Sequence, residues 1–230
     1  MPPLNLVGDM GGGGMLLVTG ILAALLEAAN SGRGQVIDAA MVDGAAQLMW
    51  MFYGFQAMGM WDATRREANM LDGGAHFYDT YECADGEYVS IGSIETQFYA
   101  LLKEKAGLDE ETFGEQNDPD LWPGQKEKLA AVIRRKSRAE WCEIMEGTDV
   151  CFAPVLNFMD APDHPANVAR QTYIEVDDVV QPAPAPRFSR TPSEVRHGAH
   201  DLGQDTEAVL AAMGFGEQEL EQLKSAGAIA

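Results

Sequence analysis

The first quarter of the chain is almost continuously apolar. Leucine and alanine, both strong helix formers, dominate the stretch from Met15 to Leu26. Its apolar residues lie on nearly all sides of a helix, which predicts a helix buried in a protein core. The glycines of "NSGRG", at 30–34, are typical of a helix C-terminus. The pattern then predicts a short strand from Gln35 and a long apolar helix that continues to about Trp61.

The clearest strand signal follows in "HFYDTYECADGEYVSIG", at 76–92. Aromatic and β-branched residues flank the pair Asp85–Gly86, which favours a turn, so the segment predicts a β-hairpin. The next segment has helical spacing, with Phe98, Leu101 and Leu102 on one face.

The rest of the chain predicts further helices and one extended segment. Two helices are expected between Trp122 and Asp149, and Ser137 and Glu140 form a possible capping box at the start of the second. The proline-rich "QPAPAPRFSRTP" is expected to be extended and exposed. Two short amphipathic helices should close the chain.

The composition is that of a soluble globular protein, since 46% of the 230 residues are hydrophobic and 23% are charged. The formal net charge of −20 argues against a nucleic-acid partner, because phosphate binding requires clustered Lys and Arg. No basic region precedes the apolar run, and the run from Met15 to Leu26 is too short to span a bilayer. We therefore expect a cytoplasmic protein with no membrane span.

The sequence carries no signature of a metal site or a disulfide framework. The three cysteines are too few and too scattered for either. None of the four histidines has the spacing of a metal ligand. Only His76 lies near a distinctive motif, and a structural role is favoured for it. We expect no metal.

Asp9 is the first residue that could carry chemistry. It lies just ahead of four glycines, Gly11–Gly14, and of a predicted helix start. Free backbone N–H groups at a helix start stabilise an anion, and glycine lets the backbone approach a substrate closely. The stretch lacks the Gly-Lys-Ser/Thr of a phosphate-binding loop. The pattern alone favours a helix cap beside a flexible loop over an active-site acid.

Glu95 is the second candidate. It lies between a predicted strand and a predicted helix, which suits either a capping residue or a site residue. Taken alone, the position favours capping.

Methionines form a third candidate feature. Six of them cluster along the apolar region and the connection after it: Met41, Met49, Met51, Met58, Met60 and Met70. Methionine is flexible and polarizable, so the cluster fits an adaptable pocket for acyl chains. Ordinary core and interface packing explains it equally well.

Five blocks carry a family resemblance: "NLVGDMGGGGMLLVTGILAALLEAANSGRGQVIDAAMVDG", "NMLDGGAHFYDTYECADGEYVSIGSIETQFY", "WPGQKEKLAAVIRRKSRAEWCEIMEGTDVCFAPVL", "PAPAPRFSRTP" and "LGQDTEAVL". The first four resemble the α-methylacyl-CoA racemase group of the family III CoA-transferase superfamily. The last is similar to the common ending of the wider superfamily. The blocks agree in order and spacing and cover essentially the whole chain.

The resemblance implies a reaction and its residues. Racemases of this group invert the methyl-bearing α-carbon of a branched acyl-CoA thioester with a histidine–aspartate pair and without a metal or redox cofactor. The aspartate of "NLVGD" is Asp9 here, and the glutamate that orients the histidine is Glu95. Asn5 matches an active-site asparagine. Gly11, Gly12 and Gly13 are expected to bring a helix start to the thioester, and Met41 and Met49 to contact the acyl chain.

The resemblance also implies a departure. The family's catalytic histidine lies upstream of the aspartate, and no histidine precedes Asp9 here. We therefore expect an N-terminally truncated racemase of impaired activity and poor solubility.

Two alternatives stay open. In CoA transferases of the superfamily, the aspartate at this position is the acyl-accepting nucleophile. The glycine loop that covers the site in formyl-CoA-type transferases is not visible between Asp72 and Leu108, which favours the racemase. Alternatively, the chain is a non-catalytic dimerising fragment, because the family forms interlocked dimers and the proline-rich segments suit threading between chains.

The expected fold class is α/β, with a likeness to family III CoA-transferases. Residues 1–40 form the remnant of a Rossmann-like large domain, and 41–68 form a long helix and connection. A small α+β domain spans 69–162, and 163–230 form a return segment with C-terminal helices. We expect a homodimer that binds an acyl-CoA thioester.

Overall fold

The computed structural model describes residues 4–229. The chain divides into two compact units, Met1–Val155 and Leu156–Ala230. The four-part division expected from the sequence is finer than this one and stays a prediction.

The first unit begins with a helical stretch that includes the glycines. Leu6–Met15 has the wide spacing of a π-helix, and α1, Leu16–Ser31, follows without a break. The α1 helix ends at Gly32, whose φ of +73° is left-handed and whose N–H donates to the carbonyl oxygen of Ala28 at 2.9 Å. The predicted helix stop is confirmed. The predicted glycine loop is wrong, because the helical stretch begins before the glycines.

The α1 helix is exposed rather than buried, so that prediction is also wrong. Not one residue of Leu16–Ser31 is buried, and a stripe of large aliphatic side chains faces solvent. The stripe consists of Leu17, Val18, Ile21, Leu22, Leu25 and Leu26. The physical reason is that the described elements cover only the side of α1 that bears Gly20, where Ile37 lies against the helix.

The long helix predicted after residue 35 is broken into two. The helices α2, Met41–Leu48, and α3, Trp50–Ala57, are separated at Met49. Residues 33–40 form no strand, because no other described strand lies beside them to supply hydrogen bonds.

A close backbone contact joins α2 to the π-helical segment. A Cβ atom on Gly44 would lie 2.8 Å from the Cα of Gly12, and a Cβ on Gly12 would lie 2.7 Å from the backbone nitrogen of Ala45. Real Cβ atoms do not tolerate such distances. The two glycines therefore allow an approach that no other residue type permits.

The remainder of the first unit is built on an antiparallel sheet of three strands in the order β1-β2-β3. The strands are β1, Tyr78–Glu82; β2, Tyr88–Gly92; and β3, Phe152–Val155. Tyr78 pairs with Gly92 across the predicted hairpin, which is confirmed. β3 escaped the sequence analysis, because its four residues include a proline and show no distinct alternation.

Helices cover one face of this sheet. They are α4, Thr96–Ala106; α5, Glu110–Phe113; α6, Trp122–Ile133; and α7, Arg138–Met145. Inward side chains such as Val89 and Ile91 meet Leu102, Leu129 and Trp141 in a buried core. The capping box of Ser137 and Glu140 is confirmed at the start of α7.

The second unit has less regular structure. It contains a 3-10 turn, Ala161–Asp163; α8, Pro165–Arg170; a hairpin of β4, Tyr173–Val176, and β5, Val179–Pro182; α9, Thr206–Ala212; and α10, Glu217–Ser225. The two C-terminal helices are confirmed. Residues 183–200 contain no helix or strand, as the prolines predict.

One helical stretch of the described chain is long and apolar enough to cross a membrane. Leu6–Ser31 has 26 residues and a mean hydropathy of 1.7. The argument from a short apolar run is therefore wrong on length, because the helix continues on both sides of that run. Core helices of globular proteins and N-terminal signal sequences pass the same test, so length and composition alone do not identify a membrane span.

The glycine contact generates a first prediction. Gly44→Ala should lower the free energy of unfolding by about 1–3 kcal/mol, because the new methyl group must push α2 away from the π-helical segment. Gly54→Ala in α3 is the matched control, since its Cβ would meet no atom within 4 Å. That variant should be neutral or stabilising by up to about 1 kcal/mol. Urea unfolding measures both, and equal effects would contradict the close contact.

The exposed stripe generates a second prediction. Leu22 and Leu26 are 62% and 66% exposed, so the purified chain should self-associate through α1. The double variant Leu22→Gln/Leu26→Gln should shift light scattering toward smaller particles. Leu202→Gln, at a leucine of the second unit that is even more exposed, should leave the scattering unchanged. A native chain that stays monomeric would refute the prediction.

Candidate active site

Asp9 lies in the first turn of the π-helical segment, where a negative charge is favourable. Its side chain is exposed and makes no hydrogen bond or ion pair with any described residue. Asn5 is the N-cap residue, and it uses its carbonyl oxygen, at 3.2 Å from the Met10 nitrogen, rather than its side chain. The expected capping role of Asp9 is therefore wrong. Its carboxylate is free to meet a ligand.

The three glycines predicted to bind substrate pack against α2. Gly12 and Gly13 are buried. A Cβ on Gly13 would lie 3.1 Å from the Cγ of Met41, and one on Gly11 would lie 3.5 Å from a methyl carbon of Leu48. Gly12 also lines a cavity of about 280 Å³ between the helical stretch and residues 37–47. The glycines thus bring Met41 close to the turn that bears Asp9.

Most of the clustered methionines are on the surface. Exposed side chains are found at Met41, Met49, Met58 and Met60. Met70 alone among the six packs against the core of the sheet and its helices. Core packing therefore accounts for Met70 and does not explain the four exposed methionines.

Glu95 occupies the N-cap position of α4, and here its backbone does the capping. Its carbonyl oxygen accepts hydrogen bonds from the nitrogens of Phe98 at 3.0 Å and Tyr99 at 2.9 Å. Its side chain makes no capping hydrogen bond and is exposed. The N-cap position was predicted correctly, but the Glu95 carboxylate does not bond to the N–H groups of α4.

The surroundings of Glu95 include a strained turn. Cys151 has a left-handed φ of +59°, and its carbonyl oxygen accepts from the Gly92 nitrogen at 2.8 Å. Desolvation raises the pKa of the Cys151 thiol, and the carboxylates of Glu95 and Asp149 raise it further. The Glu95 carboxylate thus contributes negative electrostatic potential near the Cys151 thiol.

The candidate residues fall into two groups. Asp9, Asn5, the glycines and Met41 belong to the helical stretch and α2, and Met49 follows directly after α2. Glu95 belongs to the junction between β2 and α4. No hydrogen bond or ion pair within residues 4–229 links Glu95 to Asp9 or Asn5.

His76 lies in the core of the first unit. It is fully buried, and its Nε2 is 2.8 Å from the hydroxyl of Tyr99. That hydroxyl donates to the carbonyl oxygen of Phe113 at 2.9 Å, so it accepts from a protonated Nε2. The Nδ1 atom is buried without a hydrogen-bond partner. Burial lowers the pKa of His76 to about 4, which keeps the ring neutral.

A polar network before the hairpin escaped the sequence analysis. The side chain of the buried Asn69 donates to Asp72 Oδ2 at 2.7 Å, and its Oδ1 accepts from the Asp62 nitrogen at 2.7 Å. Hydrogen bonds from Thr64 and then Arg65 hold the pKa of Asp62 well below its usual range. The sequence signal for this network is the spacing of Asn69 and Asp72 in "NMLD", which is typical of an Asx turn. The same residues also suit an ordinary polar connection.

This network borders a cavity of about 400 Å³. Aromatic and apolar side chains dominate its lining, including Phe55, Trp61, Met70 and Trp122. Nowhere in the described chain does a group of three or more His, Cys, Asp or Glu side chains have an arrangement that could hold a metal ion.

Residues 3–206 match CoA-transferase family III. The chain belongs to this family. It is 46% identical over 227 residues to alpha-methylacyl-CoA racemase of Mus musculus and 43% identical over 226 residues to that of Homo sapiens. These alignments cover 97% of this chain, and the chain spans 59% of the length of each relative.

Solved structures support the fold of this family III chain. A CaiB/BaiF family protein from Brucella suis superimposes with a TM-score of 0.69 at 20% identity, covering 93% of this chain and 56% of that one. The Rv3272 protein of Mycobacterium tuberculosis superimposes with a TM-score of 0.65 at 18% identity, covering 85% of this chain and 51% of that one. The family III fold predicted from the sequence is confirmed.

The buried imidazole predicts a pH dependence of stability. The unfolded chain protonates His76 near its ordinary pKa of 6.5, whereas the folded chain resists protonation down to about 4. The free energy of unfolding should therefore fall as the pH drops from 6.5 to 4, by up to about 3 kcal/mol from this group.

Urea unfolding at pH 7 and pH 4.5 measures this loss, with His76→Phe as the control that lacks the titrating ring. The difference between the two pH values should be smaller in the variant. An imidazole that titrates near 6.5 in the folded chain by NMR would contradict the assignment.

Proposed function

We propose that this chain carries part of a racemase active site that moves the α-proton of 2-methyl-branched acyl-CoA thioesters. The proposal is supported most directly by Asp9, a carboxylate exposed and unpaired in the described structure. It lies in the "NLVGD" motif of a chain that is 43–46% identical to two proteins named alpha-methylacyl-CoA racemase.

The chemistry requires two groups on opposite faces of the α-carbon. The thioester carbonyl acidifies the α-proton, because the carbanion is delocalised as an enolate. Asp9 exchanges a proton on one face, and a second base exchanges it on the other. Backbone N–H groups in the first turn of the π-helical segment have no helical partner among residues 4–229 and suit the enolate oxygen.

Glu95 is assigned to orient that second base. An imidazole that donates to a carboxylate is held in one tautomer and one direction, as this reaction needs. Within the 230 residues no histidine precedes Asp9, and His76 is buried in the core with its Nε2 bonded to Tyr99. We therefore propose that the 230-residue polypeptide, assayed alone, is a severely impaired catalyst.

The methionines suit a variable acyl chain. The exposed side chains of Met41 and Met49 lie on or next to α2, and Met41 contacts Gly13 beside the Asp9 turn. Flexible thioethers adapt to acyl groups of different shapes, and the reaction itself involves only the thioester and the α-carbon. The proposal includes a cytoplasmic protein that needs no cofactor besides its acyl-CoA substrate.

Two other functions, a CoA transferase and a non-catalytic dimerising fragment, are each supported by one feature of the structure. A CoA transferase would use the same free Asp9 carboxylate as an acyl-accepting nucleophile. A non-catalytic dimerising fragment would use the exposed stripe on α1. We propose a homodimer in either enzymatic case.

The experiment measures wash-in of deuterium at the α-carbon of (2R)- and (2S)-2-methylacyl-CoA in D₂O. The native chain should show slow wash-in, and Asp9→Asn should lower it by about 100-fold, because an amide cannot exchange the proton. Glu27→Gln, at an exposed carboxylate near the end of α1, is the control and should not change the rate. A chain extended at its N-terminus with the homologous segment of a longer relative should be faster.

Each alternative has its own outcome in this assay. CoA transfer to a free carboxylic acid without deuterium wash-in would replace the racemase with a transferase. A dimeric chain with neither activity would favour the fragment. Full-rate racemisation by the 230-residue chain would refute the proposed impairment.

A further inference from the structure

We propose that Gln116 is a positioning residue that fixes the direction of Glu95. This inference rests on the function proposed above for Glu95. The Nε2 atom of Gln116 donates to the carbonyl oxygens of Ser93 at 3.1 Å and Ile94 at 2.8 Å. These are the two residues directly before Glu95, so one side-chain amide holds the backbone from which the carboxylate projects.

Gln116 is itself held in place. It is 7% exposed, and its backbone carbonyl oxygen accepts from the indole nitrogen of the buried Trp122 at 2.8 Å. A buried amide needs hydrogen-bond partners, and the Ser93 and Ile94 carbonyls supply them. Hydrogen bonds therefore connect Trp122 of α6, through Gln116, to the backbone between β2 and α4.

The other polar groups of the junction are also occupied. The Ser93 nitrogen donates to the carbonyl oxygen of Phe77 at 3.0 Å, and its hydroxyl donates to that of Val150 at 2.5 Å. Ser93 is fully buried, so these contacts anchor it from two sides. Gln116 adds a third contact, to the Ser93 carbonyl oxygen, and also donates to the carbonyl oxygen of Ile94. Glu95 is thus an exposed carboxylate on a rigid support.

Positioning matters for a group that orients a base. Misplacing a reactive group by about 1 Å costs about 100-fold in rate even when the change is remote from the chemistry. Loss of the Gln116 amide would leave two carbonyl oxygens without this donor, and the backbone would move to find water. Glu95 would move with it.

A second buried glutamine provides a matched control. Gln125 is 3% exposed, and its Nε2 donates to the carbonyl oxygens of Thr112 at 3.0 Å and Glu115 at 3.1 Å. Its Nε2 makes the same pair of bonds to backbone carbonyls as that of Gln116, although its Oε1 is buried without a partner, and neither carbonyl belongs to a residue next to Glu95. Gln116→Met and Gln125→Met therefore remove the same kind of bond from equally buried sites.

The first test is amide hydrogen exchange on the 230-residue chain, which needs no substrate. Both variants should lower the urea midpoint to a similar extent. Only Gln116→Met should speed exchange at the Phe98 and Tyr99 nitrogens, which donate to the Glu95 carbonyl, by about 10-fold or more. Unchanged exchange there, or an equal increase in Gln125→Met, would overturn the proposal. Gln116→Leu replaces Gln116→Met if that variant fails to fold.

The second test is the deuterium wash-in assay on the N-terminally extended chain described above, which supplies the base that Glu95 is proposed to orient. Gln116→Met should lower kcat by about 10-fold or more with KM unchanged within about twofold, and Gln125→Met should change neither. An active extended chain whose kcat survives Gln116→Met would refute the positioning role and leave the racemase function standing. An extended chain without wash-in would refute that function, whereas the exchange test on the 230-residue chain would still decide whether Gln116 fixes the junction.

Discussion

The apolar inner face of the three-stranded sheet has to be shielded from water. The packing of the helices that follow β1 in the first unit depends on this requirement. Alternation along β2 directs Val89 and Ile91 inward, where α4, α6 and α7 bury them. The same alternation turns Ser93 inward just past the end of the strand. A polar residue at this depth needs hydrogen-bond partners, and it finds them in Phe77, Val150 and Gln116. Hydrophobic burial thereby generates a rigid junction for Glu95.

The helical stretch at the start of the chain follows a different constraint. Its tightest contact among the described elements is that of Gly12 with Gly44, where the absence of side chains lets two backbones meet. Its opposite face keeps an aliphatic stripe in solvent. Such a stripe normally lies against other protein. Asp9 lies at the beginning of this stretch.

Local signals predicted the elements whose causes are local. The hairpin at Gly86, the left-handed stop at Gly32 and the capping box at Ser137 depend on neighbouring residues, and each was predicted correctly. Burial of α1 was predicted wrongly, because burial depends on which surfaces the rest of the protein offers. The strand expected near residue 35 failed for a related reason, since a strand requires a partner.

The sequence by itself determined the family, the positions of Asp9 and Glu95, and the helices and hairpin around them, because residue identity and spacing specify these. Only the tertiary structure decided how the residues are used. It showed that the glycines pack against α2, that the carboxylate of Glu95 makes no helix-capping hydrogen bond, and that Gln116 holds the backbone before it. These facts depend on contacts between residues distant in sequence, 22 positions apart for Gln116 and Ile94, and no local pattern encodes such contacts.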